Sequence, residues 1–213
     1  MQARCVVPVI SAALILTACS TAMPDASEGL KVLAAETFLA DIAQHVAGER
    51  LVVESILRPG VDPHEFQATP QDAIRIAEAD VLIINGRGYE AWLQKSLDAS
   101  GGERRTVEAS AGVDAEPPDD PHLWMNPRNV VTYVENIREG LSEADPAGRS
   151  TYAANAQAYA GELRELDEWI TADVAAIPLE RRILITNHDA LAAFAGRRGQ
   201  PSEVTHALQA GSH

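Results

Sequence analysis

Short apolar runs alternate along the chain with stretches in which apolar residues recur every three or four positions. The runs are "LKVLAA" (30–35), "LVVESIL" (51–57) and "DVLIIN" (80–85). Each is too short for a stable helix and rich in Val, Ile and Leu, so each reads as a strand. From Thr37 to about Ala47 the spacing is helical, and Gly48 supplies a stop. A second helix opens at Thr69-Pro70-Gln71-Asp72, with Thr as N-cap, Pro at the first helical position and a carboxylate in the first turn. "GRGYEAWLQKSL" follows the third run as loop and then helix. Strands alternating with helices predict an α/β fold with mostly parallel pairing.

Residues 98–120 read as loop, ending in "EPPDD". Asn126-Pro127 repeats the cap-plus-proline device and begins a helix to about Ser142. Asp145-Pro146 begins another, which runs to about Ile177 with only Gly148 and Gly161 to interrupt it. About 30 helical residues span roughly 45 Å. That length suits a spine between two lobes, and the absence of a steady heptad argues against a coiled-coil arm. Past Pro178 the pattern gives one strand (183–186), one helix (189–198) and a tail. A single strand–helix unit cannot bury its own apolar face, so this second lobe reads as incomplete. The boundaries are therefore 30–145 for an N-terminal α/β lobe, 146–177 for the linking helix and 178–213 for a partial C-terminal lobe.

The first residues change the picture of where the protein works. "MQARCVVPVISAALILTACS" carries one early charge, Arg4, then an uncharged run from Cys5 to Ala18. The run is shorter than the ~20 residues a spanning helix needs, and it fits the apolar region of a secretory signal, 1–18. Its end, Leu16-Thr17-Ala18-Cys19, resembles a bacterial lipobox, in which Cys19 becomes the first mature residue and carries lipid. Residues 19–29 are small and polar and read as a lipidated tether. No other Cys follows in the 213 residues, so a metal site would have to use nitrogen and oxygen ligands. The net charge of −14 argues against a nucleic-acid partner and suits a protein that attracts cations.

Six histidines are present, at 45, 64, 122, 188, 206 and 213. His45 sits within a helical stretch and reads as a surface residue. His206 and His213 are in the tail. His64 and His188 each lie between a strand and the next helix, where open α/β sheets bind ligands. His122 immediately precedes the helix capped by Asn126. Singly, each reads as an ordinary loop residue. Together, three loop histidines beside rigid elements have the makings of a site for zinc, copper, nickel or iron. The repeated Asp-Pro-His, at 62–64 and 120–122, strengthens this, because proline stiffens the backbone that carries the imidazole. Asp62 and Asp120 read first as turn formers, with orientation of the site as the alternative.

These segments resemble a known family. "GVDPHEFQATPQD" (60–72), "ADVLIINGRGYEAWL" (79–93), "DPHLWMNPRN" (120–129) and "ITNHDALAAFAGRRG" (185–199) are similar, in order, to the motifs of the cluster A-I metal-binding proteins of bacterial ABC importers. The resemblance implies a periplasmic-binding-protein-like fold: two α/β lobes, a long connecting helix and a metal in the cleft. Residue by residue, His64, His122 and His188 match the first three metal ligands. Histidine at the third position implies Zn2+, with Mn2+ as the alternative. The implied partners are a membrane permease and its ATPase subunit. The implied location is the cell envelope, lipid-anchored on the periplasmic or extracellular side, as a monomer. The sequence departs from the pattern at Met125 and Asn126, where Leu and Asp are usual, and has no His-rich loop before 119. The family pattern continues beyond residue 213 and there supplies a fourth ligand, usually a carboxylate. The expectation is thus a C-terminally truncated member; His206 and Glu203 are candidate substitutes, but each reads better as tail.

Capture of Zn2+ for import, without catalysis, is the leading expectation. The alternatives are a non-functional fragment, an adhesin-like surface lipoprotein, and a hydrolase with zinc held by three histidines. The last needs a general base, for which Glu65 is the nearest residue in sequence.

Overall fold

The computed structural model describes residues 29–101, 103–114, 118–183, 186, 188 and 190–196. Four short strands form one parallel sheet: β1 (Val32–Ala34), β2 (Val53–Ser55), β3 (Val81–Ile84) and β4 (Arg105–Glu108), in spatial order β2-β1-β3-β4. Val32 pairs with Val53 on one side and Val81 on the other, and Val81 pairs with Arg105. The three apolar runs are thus strands β1 to β3. β1, and Val81 to Ile83 of β3, are buried on both faces, which is why they read as unbroken Val, Leu and Ile. β4 falls in the stretch expected to be loop. Only Val107 of its four residues is buried, so its strand state rests on pairing with β3 rather than on apolar content.

The helices follow their sequence signals closely. α1 (Thr37–Ala47) buries Leu39, Ile42, Ala43, Val46 and Ala47, one continuous stripe. Burial of each large member contributes about 1.5–3 kcal/mol. Gly48 ends it at φ +61°, and a Cβ there would lie 2.6 Å from Asn155 Nδ2. α2 (Pro70–Glu78) begins with a complete capping box between Thr69 and Asp72. α3 (Leu93–Ser100) precedes β4, and α4 (Pro127–Ala144) is capped by the Asn126 side chain, which accepts from Arg128 N–H.

The long helix begins later than Asp145-Pro146. Pro146–Gly148 form a 3-10 turn, and α5 runs Arg149–Ala175, roughly 40 Å. A Cβ on Gly148 would lie 2.4–2.5 Å from Arg50, Asp145 and Tyr152, the three residues that tie this corner together. α5 packs on α1 and α4 through Tyr152, Ala156, Ala160 and Leu163, while Trp169 and Leu166 further along are exposed. Among the described residues α6 (Ala192–Gly196) begins after residues 190 and 191, later than the expected start at 189. Ile183 and Thr186 carry no strand assignment, and the centre of the expected strand lies outside the described residues, as do residues 1–28 with Cys19, and residues 197–213 with Glu203, His206 and His213. Among the described residues no helix is long and apolar enough to cross a membrane.

Candidate metal centre

In this sheet the chain leaves β1 for β2 on one side and returns to β3 on the other. The crevice between the carboxyl ends of β1 and β3 is the switch point where such folds bind ligands. The loops after β2 and β4 carry His64 and His122 to that end, and the segment before α6 brings His188 to them. One ligating atom from each lies within 4.8 Å of the other two, and the ring centroids are 5.4–5.8 Å apart. Tetrahedral zinc with Zn–N of 2.0–2.1 Å sets its nitrogens about 3.4 Å apart. Among the described residues no carboxylate belongs to the cluster. Glu65, the candidate base of the hydrolase alternative, is exposed and outside it.

Each histidine is held differently. His64 is exposed; its backbone N–H donates to Asp62 Oδ1 at 2.9 Å, a turn bond that also fixes the loop. His122 is buried. Asp120 Oδ1 accepts from its backbone N–H and lies 2.9 Å from its ring Nδ1. Asp120 therefore does more than form the turn first read for it: it selects the ring orientation. Burial alone would raise the Asp120 carboxyl, but the hydrogen bonds with His122 outweigh it and hold the group below the usual range. His122 Nε2 is buried with no hydrogen-bond partner among the described residues. A buried ring nitrogen without a partner, facing two other imidazoles, fits a divalent cation. His188 is exposed, on the segment leading to α6, which packs on the 3-10 turn Leu123–Met125. His45, by contrast, is a surface residue stacked on Tyr159 at 4.3 Å.

Beneath the cluster lies an aromatic and polar floor built from residues of the segments 79–93 and 120–129 together with Phe38 and Tyr133. The Tyr89 ring meets His64 and His122 edge-on at 5.4 and 5.6 Å. Trp124 packs under the loop, stacked on Phe38 at 4.2 Å. Asn85, at the end of β3, donates from Nδ2 to the Pro121 carbonyl at 2.9 Å and accepts from Tyr133 Oη at 2.6 Å. The Asn-Gly step after a buried strand was the available signal for this turn. Gly86, Arg87 and Gly88 all take positive φ, and this loop carries Tyr89 and Glu90 into the floor. A cleft of about 660 Å³ opens beside His64 between Phe66, Tyr89, Trp92 and Lys95. A second hollow, of about 480 Å³, lies at the opposite end of the sheet near Leu30 and Arg75 and contains none of the three histidines.

With this geometry in place, comparison with known proteins gives a consistent result. Residues 32–212 match the family described as zinc-uptake complex component A, periplasmic. The chain is 39% identical over 190 residues to the manganese-binding lipoprotein MntA of Halalkalibacterium halodurans, covering 85% of this chain and 63% of that protein. It is 37% identical over 179 residues to the iron-binding protein YfeA of Yersinia pestis, covering 80% and 57%. The Zn(II)-bound ZnuA-like domain of Streptococcus pneumoniae AdcA superposes with a TM-score of 0.73 at 26% identity, covering 80% of this chain and 64% of that one. The chain thus spans 63% and 57% of the lengths of the two curated relatives it is compared with.

Proposed function

Since the chain belongs to the zinc-uptake component A family of periplasmic metal-binding proteins, we propose that it captures a divalent metal ion outside the cytoplasm as the solute-binding component of an ABC-type importer. The observation that carries this reading is the convergence of His64, His122 and His188, with the buried His122 Nε2 left for a ligand. In it, the three imidazoles are the metal ligands and the ion is cargo. Nothing in the cluster acts as base or nucleophile, so the role is binding and release.

Zn2+ is the proposed ion, with Mn2+ as the competitor. Three neutral nitrogens favour a borderline metal over a hard one, which prefers oxygen. The relatives named for manganese and iron keep the competitor in play. The partners in this reading are a permease and its ATPase. In this reading Cys19 anchors the chain by lipid, residues 30–145 form the N-terminal lobe, 146–177 the linking segment that contains α5, and 178–213 a partial C-terminal lobe, and the protein acts as a monomer at the outer face of a membrane. Zinc and manganese affinities measured by chelator competition test the central claim. Tight zinc binding that H64A or H122A abolishes supports it; metal binding indifferent to both substitutions refutes it.

A further inference from the structure

Two carboxyl groups near Tyr89, the ring that meets His64 and His122, are buried where charge is costly. Glu36 is 3% exposed and Glu90 is 7% exposed. An ionised carboxylate tolerates such burial only when hydrogen bonds replace its water. Glu90 has them: its Oε1 accepts from Asn85 N–H and its Oε2 from Gly86 N–H, the latter at 3.2 Å. Glu36 lacks them. It occupies the N-cap of α1, where an acidic side chain ordinarily accepts from the first turn, yet it makes no capping bond. Neither of its oxygens accepts from an N–H or O–H among the described residues. The groups facing it are the Glu90 carboxyl and, close by, the Tyr89 phenol, with Asp62 a further acid around that phenol.

We infer that Glu36 and Glu90 hold one proton between them, Glu36 as the acid and Glu90 as the carboxylate, and that this pair is the positioning element on which the histidine cluster rests. The inference builds on the metal-binding reading, because it assigns the pair a task in that site. The division of roles follows from the donors. Two backbone N–H groups stabilise the charged form of Glu90, and none stabilises the charged form of Glu36. Burial, with the Glu90 charge adding to it, pushes Glu36 up to about 10. Burial also raises Glu90, while its backbone bonds pull the other way. One shared proton lets the floor carry a single negative charge instead of two.

The connection to the ligands is a chain of hydrogen bonds and one peptide link. Glu90 fixes the backbone of Asn85 and Gly86; the Asn85 side chain fixes the Pro121 carbonyl; Pro121 precedes His122. Tyr89, the neighbour of Glu90, sits edge-on to His64 and His122. Removing the donor at 36 or the acceptor at 90 should therefore reach two of the three histidines.

The test uses the same chemical change at both positions of the full chain. In E36Q the amide is neutral and still donates to Glu90, so zinc affinity should stay within about threefold of wild type. In E90Q the amide nitrogen confronts a backbone N–H, and E36A removes the donor; each should weaken zinc by roughly 10- to 100-fold, the scale seen when groups that orient ligands are lost. The infrared difference spectrum of wild type minus E36Q should contain the C=O stretch of a buried carboxylic acid at pH 8 without metal. Equal losses in E36Q and E90Q, or no acid band, would overturn the proposal. If the wild type binds no zinc, the metal-binding reading fails instead. The acid band, and a melting temperature for E36Q above that of E90Q, then still decide the pair.

Discussion

Asp120 and His122 are joined twice: one carboxylate oxygen accepts the backbone N–H of His122 and sits 2.9 Å from its Nδ1. With Nδ1–H committed to Asp120, Nε2 is the nitrogen left to ligate, and the ring cannot turn without breaking the bond. D120A should therefore weaken zinc binding by about 10- to 100-fold. D120N keeps an oxygen acceptor and should cost less. Competition against a chromophoric chelator measures both, and equal affinity in D120A and wild type would refute the orienting role.

His188 tests the choice of ion. Replacing it with Glu exchanges a borderline nitrogen for a hard oxygen, which favours manganese relative to zinc. H188E should shift the ratio of the two affinities toward manganese by about tenfold, ~1.4 kcal/mol. H188A should weaken both ions. Paired titrations with Zn2+ and Mn2+ read the ratio directly. An unchanged ratio in H188E would show that position 188 does not discriminate.

Much of this was legible because local chemistry and tertiary structure agree. Thr69-Pro70-Asp72 and Asn126-Pro127 begin helices with their own side chains, so the signal is complete within four residues. The buried runs of β1 and β3 are apolar because both faces are covered. β4 was missed because "RTVE" is mostly polar and exists by pairing with β3. His64 and His188 stand out by their expected place between a strand and a helix, and His122 by the repeated Asp-Pro-His and its place before α4. Glu90 lies inside the segment 79–93, but nothing there pairs it with Glu36, which reads as a surface residue until the fold buries it. The Asn85 bond to Pro121 spans 36 residues, and no local pattern announces it.

Asp145 should control the acid limit of the fold. Arg50 donates to both of its oxygens and Tyr152 Oη donates at 2.6 Å, and the ion-pair side chains are 8% exposed. The Arg50 bonds first, then Tyr152 against the opposing effect of burial, hold the Asp145 carboxyl down to about 2. A depressed folded-state pKa gives stability that is present above the unfolded value, about 3.9, and lost as pH falls through 2. That linkage amounts to roughly 2.5 kcal/mol. D145N also strands the Arg50 charge, so its total cost near pH 7 should be about 3 kcal/mol or more. The melting temperature should drop about 6–12 °C at pH 7, and the gap from wild type should narrow between pH 4 and pH 2. A gap independent of pH would refute the assignment.

Gly140 sets helix propensity against packing. It lies in the interior of α4, where Gly is less favourable than Ala by about 1 kcal/mol, so propensity alone predicts that G140A stabilises the protein. The tertiary contact predicts the reverse. A Cβ at 140 would stand 2.3 Å from Val107 Cγ2. Val107 is the buried residue of β4, and a β-branched side chain held in a sheet has few rotamers into which to retreat. The added methyl must then push α4 away from β4, and overpacking of this kind costs about 1–3 kcal/mol. G140A should thus be neutral to about 2 kcal/mol destabilised in urea unfolding once the propensity gain is subtracted. V107A made with it should recover part of the loss, because the two changes share one contact and their effects should not add. A G140A protein more stable than wild type would mean that β4 yields freely, and that this edge strand contributes little to the rigidity of the sheet.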